Sequence, residues 1–342
     1  MSGIAQLSSA GDLPPAPPAP AGRWRRALPV SVTLVAAVVL ATAILVHANP
    51  APAGTGAFWI IMQTRLVSLV TILLVAVAQS VATVLFHTVT ANRILTPSIL
   101  GFDALYVLSQ TALVFVFGVS STGLEGIPKI VAQSVLMVGF ATLLYGWLFS
   151  GRRANLHLML LVGVVLGIAF QSIASFLQRM LTPSEFDVLS ARLFGSISKA
   201  DPAYLPIAGA IVLGILIYVW SRRRSYDVLA LGRDVSVGLG LKYRREVVVN
   251  LVLVAVLVSI SATMVGPMTF YGFLVATLAY QFAPGDRHAE VLPLAIGIGL
   301  VTLLAATFVL RHLFSAAGLV TVIIEFVGGA LFLIVLLRKG LR

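Results

Sequence analysis

Four residue types able to do proton or hydrogen-bond chemistry sit inside otherwise apolar stretches of this sequence. They are the acids Asp103 and Glu325, the imidazole of His87, and the amides Gln79, Gln110, Gln171 and Gln178. A charge at the centre of a bilayer costs about 2.5–3.5 kcal/mol on insertion scales, so each such position needs a physical reason. Two reasons are open. The side chains line a wet path, or they hydrogen-bond one helix to the next, and an Asp at the mouth of a broken helix is favoured by the N-terminal dipole. Other chemistry leaves no trace: there is no Gly-x-x-x-x-Gly-Lys-Ser/Thr phosphate loop, no His-Glu-x-x-His pair and no identifiable Ser-His-acid set. The chain is therefore not expected to be an enzyme or to hold a cofactor of its own. With no Cys and five His, it offers few ligands to a bare transition metal. A metal already wrapped in an organic chelator stays open as a cargo, because the chelator supplies the ligands.

The elements that position these groups follow from composition. Hydrophobic residues make up 59% of the 342 and charged ones 10%, with a mean hydropathy of +1.03, whereas soluble domains carry about a quarter charged residues. Residues 1–26 open with a Pro/Ala/Ser-rich run that cannot bury a core, and are expected to form a disordered cytoplasmic tail. The basic Arg23, Arg25 and Arg26 precede an apolar stretch longer than a signal-peptide core, although Ala-x-Ala-like sites near Ala48 to Ala53 leave cleavage open. Residues 27–342 read as one all-α transmembrane domain, because a helix must satisfy its own backbone in lipid and needs about 20 residues to cross. About ten spans are expected, at 27–47, 65–89, 98–118, 128–149, 156–178, 203–221, 246–265, 268–283, 291–312 and 319–337. Thr96-Pro97 and Gly266-Pro267 predict short or broken helices at two of them.

With the N-terminus in the cytoplasm and ten alternating spans, seventeen of the Lys and Arg residues fall inside and six outside. This asymmetry supports a multi-pass protein with both termini cytoplasmic. The basic residues serve as topology signals, which argues against a nucleic-acid partner. Outside, Ser184 to Phe194 carries apolar positions at helical spacing, as in a short interfacial helix. Inside, Ser221 to Arg245 is too polar to span and too patterned for a linker. Arg65 and Arg311, at the outer ends of two spans, are either headgroup anchors or a pair that holds an acidic partner.

Three segments carry a resemblance. Asn92-Arg93-Ile94-Leu95-Thr96-Pro97-Ser98, Leu229-Ala230-Leu231-Gly232 followed by Leu239-Gly240, and Gly266-Pro267-Met268-Thr269-Phe270-Tyr271-Gly272-Phe273-Leu274 resemble the iron-chelate and cobalamin importer permeases of bacterial ABC transporters. The first looks like the branch serving ferric siderophores of the anguibactin and petrobactin kind. The resemblance covers nearly all of the chain from Ala27 to Leu337. It departs at Ser68, where the family has a second arginine, at His87, where it has Gln, and at Gly318 to Val322, where it has Glu-Leu-Pro-Ile-Gly.

The resemblance implies a ten-helix permease in the bacterial plasma membrane. It would pair with a second permease, bind ATP-binding subunits that carry ATP and Mg, and receive cargo from a periplasmic or lipoprotein chelate-binding protein. Asp227, Leu229, Leu231, Gly232, Gly238, Leu239 and Gly240 would then form cytoplasmic coupling helices, with turns at Gly232 and Gly238. Arg65 and Arg311 would dock the binding protein, and Phe194, Gly195 and Ser196 would belong to an outer gate helix; His87, Asp103 and Glu325 are the candidates, from their place in apolar stretches, for lining the path or gate. Two rivals remain: a proton-coupled secondary transporter using Asp103 and Glu325 as carriers, and a membrane scaffold with no pathway.

Overall fold

A computed structural model describes residues 23–47, 51–118, 126–148, 156–193, 197, 200–312 and 320–340. These are organised entirely by helices: α1 (Arg23–Val46), α2 (Gly56–Thr90), α3 (Phe102–Phe117), α4 (Ile127–Leu148), α5 (Leu156–Arg179), α6 (Pro183–Leu193) and α7 (Leu205–Ser221) are followed by α8 (Arg223–Leu229), α9 (Arg233–Gly238), α10 (Tyr243–Val265), α11 (Tyr271–Phe282), α12 (His288–His312) and α13 (Val320–Gly340). Residues 1–22 of the expected tail and the gate residues Phe194, Gly195 and Ser196 lie outside the described residues. Arg23 to Arg26, assigned to the tail from sequence, already have the backbone of α1.

Five helices are long and apolar enough to cross a membrane unaided: Ala27–Val46, Gly56–Thr90, Leu160–Arg179, Tyr243–Val265 and His288–Arg311. A sixth is the pair α7 and α8, bent by 66° at Arg222, if it counts as one span. α3, at 16 residues, falls below that length, whereas α4 and α13, apolar over Ile130–Leu144 and Thr321–Ile334, have 22 and 21 residues. α2 starts nine residues before its expected span because Thr55 caps it, accepting the Phe58 N–H at 3.3 Å. At about 1.5 Å per residue α2 is about 52 Å long, well beyond a hydrocarbon core of about 30 Å.

The middle of the fold is α2, buried along most of its length between α10, α11 and α12. Polar side chains join these helices: Gln79 Nε2 donates to Ser261 Oγ at 3.1 Å, and the Ser80 hydroxyl to the Ala295 carbonyl at 3.2 Å. α3, α4 and α5 are tied in the same way. Gln110 donates to Gln133 at 3.0 Å, Gln133 to Ser109 at 2.9 Å, and Gln178 to Thr111 at 3.1 Å. The interhelical reading thus accounts for Gln79, Gln110 and Gln178. Gln171 instead faces outward from α5, in a shallow groove with Ser172, Ser175, Phe176 and Arg179.

Small residues let α5 approach closely. Gly163 and Gly167, one helical turn apart, face the turn Pro97–Leu100 and Gly101, and a Cβ on Gly163 would lie 2.7 Å from Leu100 Cδ2 and 3.0 Å from Leu100 Cα. Gly101 holds φ at +85°, which closes the short 3-10 turn that proline begins and lets α3 set off in a new direction.

Candidate functional site

The two proline breaks meet in space. α10 stops at Gly266 (φ +90°) and α11 restarts at Tyr271, so the backbone N–H groups of 269 and 270 have no partner within a helix. Glu325, from α13, reaches both: its carboxylate accepts the Phe270 N–H at 3.4 Å and also the Thr269 N–H. Asp103, in the first turn of α3, accepts the Thr269 hydroxyl at 2.8 Å and is also hydrogen-bonded by Ser98. The two carboxylates are near enough for their charges to act on each other. Each sits at the N-terminal end of an interrupted helix, where the dipole favours an anion. The arrangement fixes the geometry of both breaks.

A second cluster lies at the opposite end of α10, about 34 Å away along its axis. There α7 bends into α8, with Arg222 at the bend paired to Glu246 of α10. Tyr226 and Leu229 of α8 are buried, while Leu231, Val235, Val237 and Leu239 are exposed, Leu231 at 61% and Leu239 at 62%. Ser236 holds α9 against α8 through hydrogen bonds to the Gly232 and Val228 carbonyls at 2.6 and 3.0 Å. The positions forced into left-handed backbone are Gly232 (φ +92°) and Gly240 (φ +83°). Gly238, expected from sequence to be a turn, closes α9 without positive φ, so the second turn is displaced to Gly240.

Asp227 points away from the exposed apolar face. Its Oδ1 accepts the His288 backbone N–H at 2.8 Å and meets His288 Nδ1 at 2.7 Å. Beside it, His87 is buried and stacks on Tyr280 at 5.9 Å. The Arg93 guanidinium lies 4.3 Å from the centre of the same ring and pairs with Asp286 at 2.8 Å. These residues border a cleft of about 480 Å³. His87 therefore sits by α8, far from Asp103 and Glu325, and the structure does not bring these three into one site.

At the other end of the fold a cleft of about 510 Å³ lies between α6 and the ends of α3, α4 and α10, with Tyr106, Gln110, Gln133, Arg192 and Asp201 in its wall. Thr182 and Glu185 cap α6 reciprocally, and the Thr182 backbone N–H and hydroxyl hold the exposed Glu185 carboxyl below the usual carboxylate range.

Arg65 departs from its expected role. It is 2% exposed, and its Nη1 donates to the carbonyls of Ile44, Leu45 and His47 at 2.9, 2.8 and 2.9 Å. A guanidinium clasped on the last turn of α1 satisfies carbonyls that the helix leaves unpaired, and it is not presented to a docking partner. Arg311, near the end of α12, is half-buried and close enough for its charge to be felt at Arg65.

Residues 27–339 match the FecCD transport family. This chain belongs to the FecCD transport family. It is 44% identical to the petrobactin import system permease protein FatC of Bacillus anthracis over 92% of this chain and 90% of that one. It is 37% identical to the petrobactin import system permease protein YclO of Bacillus subtilis (strain 168), over 82% and 89%. Among solved structures, one described as an inward-facing conformation of a metal-chelate type ABC transporter superposes with a TM-score of 0.79 at 19% identity, covering 91% of this chain and 99% of that one. At that identity the likeness concerns the fold.

In this FecCD chain, sequence reasoning passed over Thr269 and Ser98, the partners of Asp103, and over His288, Thr88 and Tyr280 beside α8. The signal for His288 was present: it opens α12 directly after the turn Pro284-Gly285-Asp286-Arg287.

Proposed function

We propose that this FecCD chain is the permease subunit of a bacterial ABC importer that carries a ferric siderophore across the plasma membrane, driven by ATP hydrolysis in a separate subunit. The observation that carries the proposal is the similarity, over nearly the full length, to a petrobactin import permease. In this reading the chain makes ten membrane crossings, including α4, α13, the 16-residue α3 and the 12-residue α11, with both termini cytoplasmic. It pairs with a second permease, identical or homologous, and receives the chelate from a periplasmic or lipoprotein binding protein. α6 with residues 194–196 is the outer gate, and Arg311 is the remaining outer-rim candidate for docking. ATP and Mg²⁺ belong to the partner subunits.

The exposed apolar residues of α9 and its flanking turns, Leu231, Val235, Val237 and Leu239, suit a groove on the ATPase better than bare water or lipid headgroups. Moving a two-state permease from 1:99 to 99:1 takes about 5.5 kcal/mol of differential binding. A helix seated in a groove can transmit that load, and a loose charged loop cannot.

The test is reconstitution of the chain with its ATPase and chelate-binding subunits in vesicles, following uptake of radioactive ferric petrobactin. ATP-dependent uptake that stops when the ATPase is omitted supports the proposal. Uptake by the chain alone, driven by a proton gradient, would replace it with the secondary-transport reading.

A further inference from the structure

His288 belongs to no sequence motif of the chain, yet it is where three elements meet. It opens α12 and is buried, 4% exposed. Its backbone N–H and Nδ1 both engage Asp227 Oδ1 on α8, at 2.8 and 2.7 Å. Its Nε2 lies 2.7 Å from Thr88 Oγ1, in the last turn of α2. The ring also rests against buried Tyr226, with centroids 5.7 Å apart.

The proton count closes in either form of the ring. With a single proton, on Nδ1, the imidazole donates to Asp227 and accepts the Thr88 hydroxyl. With two, Nε2–H donates to Thr88, whose own proton then goes to the Val84 carbonyl at 2.8 Å. The three-residue link therefore holds with one proton on Nδ1 or with two on the ring, and it ties α8 to α12 and α2, both of which run into the membrane core.

Asp227 is the only side chain of α8 or α9 with a hydrogen bond to α2, α11 or α12 among the described residues. Ser236 bonds within the segment, and the Arg222–Glu246 pair at the bend goes to α10. The exposed face of the segment meets the outside world, and its buried face meets α12 and α2 through this carboxylate.

We propose that Asp227, His288 and Thr88 form a clasp that makes α8 and α9 move as one body with the ends of α2 and α12, so that force applied to the coupling segment reaches the core helices. All three are positioning residues. The proposal rests on the reading of α8 and α9 as the ATPase-coupling segment.

The experiment uses the reconstituted importer with ferric petrobactin, and records ATPase co-purification, ATP hydrolysis and uptake per ATP hydrolysed. In His288→Ala the ATPase stays bound and hydrolyses ATP, while uptake per ATP falls about tenfold, the effect of one lost charge-assisted hydrogen bond. Thr88→Val lowers it roughly threefold. His288→Asn, which keeps a donor toward Asp227, recovers most of the loss. A purely structural role would lower yield and hydrolysis together and leave the ratio unchanged.

Because the chain has no Cys, spin labels on Val235→Cys and Ala91→Cys report the clasp even in a variant that transports poorly. The distance between them is narrow in the wild type and broadens in His288→Ala. An unchanged uptake-to-ATP ratio with an unchanged distance distribution overturns the clasp. A wild-type chain that binds no ATPase at all overturns the coupling reading, and the clasp with it.

Discussion

Replacing Glu325 with Gln separates the two roles open to an intramembrane acid. The Glu325 carboxylate accepts the Phe270 N–H at 3.4 Å where α11 begins. Gln keeps an acceptor oxygen in the same place and removes the charge. An anion at a partly buried helix N-terminus is worth up to about 2 kcal/mol, and charge-assisted hydrogen bonds are roughly twice as strong as neutral ones. Glu325→Gln should therefore cost about 1–2 kcal/mol of stability. Glu325→Ala leaves the N–H groups of Thr269 and Phe270 without their acceptor and should cost about 1–3 kcal/mol more. Thermal unfolding of the purified chain in detergent reads the order: wild type, then Gln, then Ala. ATP-driven uptake by the reconstituted importer should survive in Glu325→Gln at a reduced rate, because the break in the helix keeps its geometry. Two results refute the reasoning. If all three proteins melt together, the carboxylate does not hold the break. If Glu325→Gln is as stable as the wild type and transports nothing, the carboxyl proton is needed for transport, and the secondary-transport mechanism gains the site.

Other expectations follow from single contacts. Gly163→Val pushes side-chain atoms into Leu100, where even a Cβ would lie 2.7 Å from Cδ2; it should lower stability by about 1–3 kcal/mol, seen as a lower melting midpoint, and a rise would contradict the close approach of α5. Arg65→Ala removes three hydrogen bonds from the end of α1 and should cost about 2–3 kcal/mol, with faster protease cleavage between α1 and α2 as the readout; equal cleavage in variant and wild type argues against the clasp on α1. Gly232→Ala meets no atom within 4 Å but must hold φ at +92°, a strain of about 1–3 kcal/mol. It should uncouple ATP hydrolysis from uptake, whereas Gly238→Ala, in helical backbone, should couple normally. Equal behaviour of the two variants would mean that the turn at Gly232 does not matter.

The breaks before α3 and α11 were legible because proline acts locally: it removes a donor and constrains the preceding residue whatever the rest of the fold does. The helix ends were less so. α2 begins at Gly56 because Thr55 caps it, and a cap outside the apolar run leaves the periodicity of that run unchanged. The membership of an importer permease family was legible for a different reason, since three separated segments carried it together. The displacement of the second turn from Gly238 to Gly240 shows the limit of reading glycines by type. Several of them follow one another after Leu231, and only the backbone reveals which one takes positive φ.

What sequence could not supply was pairing across long separations. Arg65 stands 21 residues from Ile44, and the guanidinium that spacing placed on an outer rim is spent on a helix terminus instead. Asp103 and Thr269 are 166 residues apart, and Asp227 and His288 are 61 apart. In each case the residue type announced that a partner was required, because a buried charge without one is too costly, and the identity of the partner followed only from the packing of helices. The polar groups that looked like one pathway fall into two sets. Asp103 and Glu325 sit where α3 and α11 restart and shape the breaks, while His87, Asp227 and His288 gather at the end of the fold that carries α8 and α9. If the clasp transmits force, a movement of α8 that shifts α12 at His288 is passed on to α11, which packs on α12 and is joined to it by a five-residue turn at Ala283 to Arg287, and so to the break that Glu325 holds. On the clasp proposal the two sets are the two ends of one mechanical connection, and a substitution at one should be felt at the other.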